Sequence, residues 1–124
     1  MDLILDTHTL LWLVTGDRRL SQALVAQLAD PDTRCFVSGV TAWEYSDLHC
    51  RGRLPGSVPL PLAQERFGFA ILDFPADLWT HAAALPDIHG DPVDRMLIAH
   101  AIAANLVLVT ADREIARYPV RTLW

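Results

Sequence analysis

The chain alternates short apolar runs with longer segments whose apolar residues repeat at helical spacing. Leu3-Ile4-Leu5, Cys35-Phe36-Val37, and residues 71–74, 106–109 and 120–123 are the short runs. Their length, and the β-branched residues in several of them, suit strands covered on both faces. Between them lie helical segments at residues 8–14, 20–28, 39–50, 62–70 and 75–84, with breaks at Gly16-Asp17 and Asp30-Pro31-Asp32. The prolines and glycine between residues 55 and 61 mark a surface loop, since apolar pattern resumes on either side. The sharpest helix opens at Asp91-Pro92, with aspartate as N-cap and proline at the first helical position. Val93, Met96, Leu97, Ala101 and Ala104 then form one apolar face, widened by Ile98 and Ile102, and Asn105 is the expected stop.

Strands alternating with helices predict an α/β fold: a three-layer α/β/α sandwich of Rossmann-like kind around a mainly parallel central sheet. One domain over residues 1–124 is expected, and such sheets place their ligands at the carboxyl ends of the strands. Three short runs lead there into polar residues: Asp6 follows the first, Ser38 and the helix carrying Glu44 follow the second, and Thr110-Ala111-Asp112 follows the run at 106–109. Asp94 lies in the first turn of the helix opened by Asp91. The candidate carboxylates are therefore Asp6, Glu44, Asp94 and Asp112.

Composition narrows the class. Hydrophobic residues make up 52% of the chain and charged ones 20%, which argues against disorder. No apolar run approaches the roughly 20 residues needed to span a bilayer. The Met-Asp start lacks a basic region before an apolar core, so no membrane association and a cytoplasmic setting are expected. A helix between Cys35 and Cys50 holds them about 18 Å apart at roughly 1.5 Å per residue, beyond disulfide reach. The net charge is −5, from 15 acids and 10 bases, and without the four candidate acids it is close to balanced. Much of the excess acidity thus falls on one candidate site. All the bases are arginine.

Each acid also has an ordinary structural use. Asp6 can cap the helix that follows it, and Glu44 can join Thr41 in a capping box. Asp91 is well explained as an N-cap, Asp94 as a first-turn acid, and Asp112 as a cap for a short helix through Arg117. Thr110 offers a hydroxyl to a phosphate, a water or an amide. The five histidines lack metal-ligand spacing, so structural zinc is not expected. Trp12, Trp43, Trp79 and Trp124 suit core and interface better than a base-stacking platform. If the four acids do converge, electrostatics asks for a cation, because two charges about 5 Å apart repel by roughly 3 kcal/mol at an effective dielectric of 20. All-oxygen ligands select Mg²⁺ or Mn²⁺.

The segments LILDTHTLLWLV, SGVTAWE, HGDPVDRMLIAHAI and LVLVTAD, in this order, resemble the successive motifs of PIN-domain ribonucleases, most nearly the VapC-type toxins of toxin–antitoxin pairs. The resemblance runs nearly end to end. It implies Mg²⁺- or Mn²⁺-dependent cleavage of RNA, a homodimer, and inhibition by a cognate antitoxin through which alone DNA is contacted. Carried over by position, the family's acids fall on Asp6, Glu44, Asp94 and Asp112. Thr110 matches the hydroxyl residue of the last motif and Asp91 the first acid of D-P-x-D. Tyr45-Ser46-Asp47-Leu48 departs from the apolar residues and lysine usual after W-E, and Gly90 and Val93 replace the commoner Arg and Phe. Arg51, Arg53 and Arg95 are the candidates to restore contacts to RNA. Two other functions compete: a catalytically silent module acting through an antitoxin complex in DNA-bound autoregulation, and a phosphohydrolase with Asp6 as nucleophile. The latter lacks the second aspartate of a D-x-D arrangement.

Overall fold

The computed structural model of the protein describes residues 1–124. Five strands, β1 (Asp2–Leu5), β2 (Arg34–Ser38), β3 (Ala70–Leu72), β4 (Val107–Val109) and β5 (Thr122–Leu123), form one sheet. Its order is β3-β2-β1-β4-β5, and every pairing is parallel. Six α-helices join them: α1 (Thr7–Thr15), α2 (Gln22–Ala29), α3 (Gly39–Cys50), α4 (Leu60–Phe67), α5 (Leu78–Ala84) and α6 (Pro92–Ala103). A 3₁₀ turn, Ile115–Arg117, precedes β5. The expected α/β/α sandwich is the fold observed.

Strand periodicity sends alternate side chains to opposite layers. Leu3, Leu5, Val37 and Val109 pack with Leu10, Leu24, Tyr45 and Ala63 from α1, α2, α3 and α4 on one face. Ile4 and Leu108 pack with Leu97, Ile98 and Ala101 of α6 on the other. Both faces of the central strands are thereby dry, as their unbroken apolar runs require. No helix is long and apolar enough to cross a membrane.

Local signals explain the element ends. Asp6 leaves the strand and caps α1 through Thr9 N–H, and Gly16 closes that helix at φ 68, a conformation that costs glycine little. Asp91 caps α6 by accepting from the amides of Val93 and Asp94. Asn105 stops the chain after α6 at φ 54, as expected of asparagine there. Several boundaries differ from expectation. Helix α4 starts at Leu60 and stops at Phe67, because Gly68 takes the left-handed cap position. The strand behind it is correspondingly early and short, at Ala70–Leu72. Pro75 forms a turn by accepting from Leu78 N–H instead of opening α5, which begins three residues later.

Three of the four tryptophans lie outside the core. Trp43, Trp79 and Trp124 are exposed at 61%, 63% and 49%, while Trp12 is half-buried. Cys35 is half-buried and Cys50 exposed, both as free thiols.

Candidate active site

Strand order reverses at β1, which pairs with β2 on one side and β4 on the other. The loops leaving β1 and β4 therefore part at their carboxyl ends and open a crevice. An open cleft of about 650 Å³ lies there, lined by Asp6, Glu44, Asp91, Asp94 and Asp112 among others. Four elements thus deliver the four predicted acids to one place: the end of β1, the middle of α3, the first turn of α6 and the loop after β4.

Each carboxylate is held differently. Asp6 is buried; its Oδ1 accepts from Thr9 N–H at 2.8 Å and its Oδ2 from the Thr110 hydroxyl at 2.5 Å. Thr110 in turn accepts from Asp112 N–H at 3.1 Å, so one threonine links the acids behind β1 and β4. The Thr7 hydroxyl donates to Glu44 Oε1 at 2.5 Å. Ser38, not Thr41, caps α3, so Glu44 takes no part in a capping box. Asp91 spends Oδ1 on the α6 amides. Asp112 uses Oδ1 to accept from Glu114 N–H, a local turn that leaves Oδ2 toward the cleft.

His89 completes the arrangement. Its Nε2 lies 2.9 Å from Asp112 Oδ2 and 3.2 Å from Asp94 Oδ2. Its Nδ1 accepts from Asp91 N–H at 3.0 Å, which leaves the ring proton on Nε2, facing the two acids. A fully charged ring has donors at both nitrogens and must give up the Asp91 contact. Burial works against the charged form, but the hydrogen bond to Asp112 and the charges of Asp94, Asp112 and Glu114 outweigh it and raise the His89 pKa. The same crowding acts on Asp94. Burial first, then Asp91, Glu44 and Asp6, push its carboxyl up to about 7, with His89 opposing.

Such a site fits a divalent cation. Its donors are mostly carboxylate oxygens, and Asp94 is driven toward protonation where nothing but a histidine offsets the negative charge. Arg19 is the one arginine on the cleft wall, and its charge is matched by Asp17 at 2.8 Å. His89, Asp112 and Glu114 are the one triad whose ligand atoms all lie within 4.8 Å of one another, so of the four acids only Asp112 belongs to a group that closely spaced.

Neither His89 nor Glu114 was a sequence candidate, although H-G-D puts His89 two residues from an acid. Thr7 carries no signal beyond its place in D-T-H. Arg95 does not line the cleft. Its guanidinium donates to the carbonyls of Ala82, Leu85 and Pro86, where α5 ends without a glycine cap. Arg51 is paired with Asp47, and neither it nor Arg53 lines the cleft.

Comparison with known proteins agrees with this fold. The family model described as PIN domain matches residues 3–120. Among solved structures, VapBC2 from Rickettsia felis, bound to a DNA fragment from its promoter, superposes with a TM-score of 0.77 at 20% identity, covering 99% of this chain and 98% of the other. DNA-bound VapBC from Salmonella typhimurium gives 0.68 at 20% identity, covering 99% and 97%. VapC20 of Mycobacterium tuberculosis, a Sarcin-Ricin loop cleaving toxin, gives 0.66 at 18% identity and covers 92% of each chain. A sequence comparison with curated proteins found no match. With its family model spanning nearly the whole sequence and its acids at the switch point of a parallel sheet, the chain belongs to the PIN domain family.

Proposed function

We propose that this protein is a metal-dependent endoribonuclease, the toxin of a toxin–antitoxin pair. The observation that carries the reading is the convergence of Asp6, Glu44, Asp94 and Asp112 on one cleft whose only arginine is already paired. These four would hold the ion, Mg²⁺ or Mn²⁺. When bound, the ion supplies a water of lowered pKa and offsets charge developing on the phosphate. A carboxylate of the set orients the attacking water by accepting its hydrogen bond. The Thr7 and Thr110 hydroxyls fix the rotamers of Glu44 and Asp6, and His89 fixes Asp94 against Asp112. The bond formed is from water oxygen to phosphorus, and the bond broken is a phosphodiester P–O bond of RNA.

The VapBC likenesses support a cognate antitoxin as partner, and we infer a homodimer as the working unit and the cytoplasm as the setting. An antitoxin side chain that inserts an arginine among the carboxylates blocks such a cleft most directly. The apolar groove of Leu13, Val25, Ala29 and Phe67 beside α1 and α2 offers it a seat. Two of the likenesses are complexes on DNA, which favours a second reading: a catalytically silent module that reaches promoter DNA through its antitoxin.

Incubating antitoxin-free protein with total RNA in Mg²⁺, Mn²⁺ or EDTA separates the two. Discrete cuts that need metal and vanish in Asp6→Asn and Asp94→Asn support the nuclease. Intact RNA under every condition favours the silent module.

A further inference from the structure

One wall of the cleft is aromatic. His8 and Trp12 stand four residues apart on α1, on one helical face, and their rings approach to 5.8 Å. Trp124, beyond β5, meets Trp12 edge to face at 5.6 Å and remains 49% exposed. Arg19 lies 4.7 Å over the Trp12 ring, pinned by two hydrogen bonds to Asp17 that leave its Nη1 uncommitted. His8, Trp12 and Arg19 line the same cleft as the carboxylates, so the strip continues directly from the acids.

We propose that His8, Trp12, Trp124 and Arg19 form a stacking site for an unpaired nucleobase of the RNA beside the carboxylate cleft. The inference rests on the nuclease reading and names the kind of substrate that site takes. A cleft rich in carboxylates gains little from attracting phosphates, and its one arginine is already neutralised. Without the ion, affinity for RNA must then come from a source that does not depend on net positive charge. Stacking on aromatic rings is such a source and changes Kd by about five- to 150-fold per base. Bases inside a duplex have no free face, so the strip selects unpaired nucleotides. Arg19, paired with Asp17 and keeping only Nη1 uncommitted, meets at most one phosphate, which predicts a shallow dependence of binding on salt.

The test uses the full chain, free of antitoxin and in EDTA, with a fluorescent single-stranded RNA pentanucleotide. Anisotropy reads Kd, and intrinsic tryptophan emission reads stacking. Trp124→Leu and His8→Ala change exposed side chains and avoid the half-buried Trp12. Binding is expected to quench tryptophan, to weaken about fivefold or more in each variant, to survive in His8→Phe, and to fail for a duplex of the same sequence. Unchanged Kd in both variants, no quenching, or no binding overturns the proposal. So does Trp124→Leu dissociating a dimer or an antitoxin complex while RNA affinity stays constant, since the strip is then a protein interface. Wild type with and without Mn²⁺ separates the two readings: cleavage requires the ion, whereas binding at the strip persists in EDTA. If the wild type cuts no RNA yet the pentanucleotide stacks, the nuclease reading fails and the stacking site stands.

Discussion

His89 donates from Nε2 to Asp112 Oδ2 at 2.9 Å, tying the loop before α6 to the loop after β4. The same atom reaches Asp94, so one imidazole sets the spacing of two acids supplied by different elements. Groups that orient metal-binding carboxylates typically contribute 10- to 100-fold to affinity or activity. Mn²⁺ affinity of His89→Ala, measured by calorimetry, is expected to fall by about tenfold or more. Glutamine at this position keeps a donor and should restore part of the loss. Equal affinity in wild type and His89→Ala means the contact positions nothing.

Asp94 makes the metal-free protein sensitive to pH. Its carboxyl titrates at about 7 in the fold, against an ordinary value of 3.8. Between those values the folded state keeps a proton that the unfolded chain has lost, so stability falls as pH rises through the window. His89, raised as well, acts in the same direction, its contribution being lost above its folded pKa. Allowing for solvent at a partly exposed group, Asp94 contributes about 1–2 kcal/mol. Urea unfolding at pH 5 and pH 8 in EDTA should show the loss, and Asp94→Asn should remove most of it. Divalent binding, which displaces the proton, is expected to strengthen over the same rise in pH.

Thr110→Val removes the donor to Asp6 while keeping the shape of the side chain. A hydrogen bond to a charged group contributes about 1.5–3 kcal/mol. Thermal unfolding should register a loss of that order, and RNA cleavage should drop with it because Asp6 gains a free rotamer. Thr7→Val should act in the same way on Glu44, with a smaller effect on stability since that pair is only partly buried. Full cleavage activity in both variants is the contrary result.

Arg95 follows the second acid of D-P-x-D, which made it a natural candidate for RNA. Its hydrogen bonds to Ala82, Leu85 and Pro86 make it the C-terminal cap of α5 instead. Arg95→Ala is expected to destabilise the fold by about 2–4 kcal/mol, as loss of several charge-assisted bonds implies. The Kd for RNA of the fraction that remains folded should not change. A weakened Kd without loss of stability would restore Arg95 to the binding surface.

The layered fold was legible because each central strand is an unbroken apolar run and α1 and α6 each open on a capping aspartate. The four acids were legible for the same reason: Asp6 and Asp112 follow strands, Glu44 lies on the helix that follows β2, and Asp94 sits one turn into a well-marked helix. His89 was not, because its position depends on a distant residue, Tyr118. That hydroxyl accepts from the amides of Ile88 and His89 and draws the loop over the cleft. Arg95 was misleading because a long side chain can travel to either end of its surroundings, and nothing local shows that α5 lacks a C-cap. Hydrophobicity alone suggests core and interface for the tryptophans, but Trp12 sits at the solvent boundary of α1 and Trp124 beyond a two-residue edge strand.

Mn²⁺ titration of EDTA-stripped protein, repeated on Asp6→Asn, Glu44→Gln, Asp94→Asn and Asp112→Asn, bears most directly on the four-acid site. If the acids from four elements hold one functional ion, every one of these changes weakens binding by about tenfold or more. The contrary result is an ion that ignores Asp6 and Glu44 and depends only on Asp112, together with His89 and Glu114. That outcome would move the metal to the outer lip of the cleft and remove the basis for cleavage at its centre.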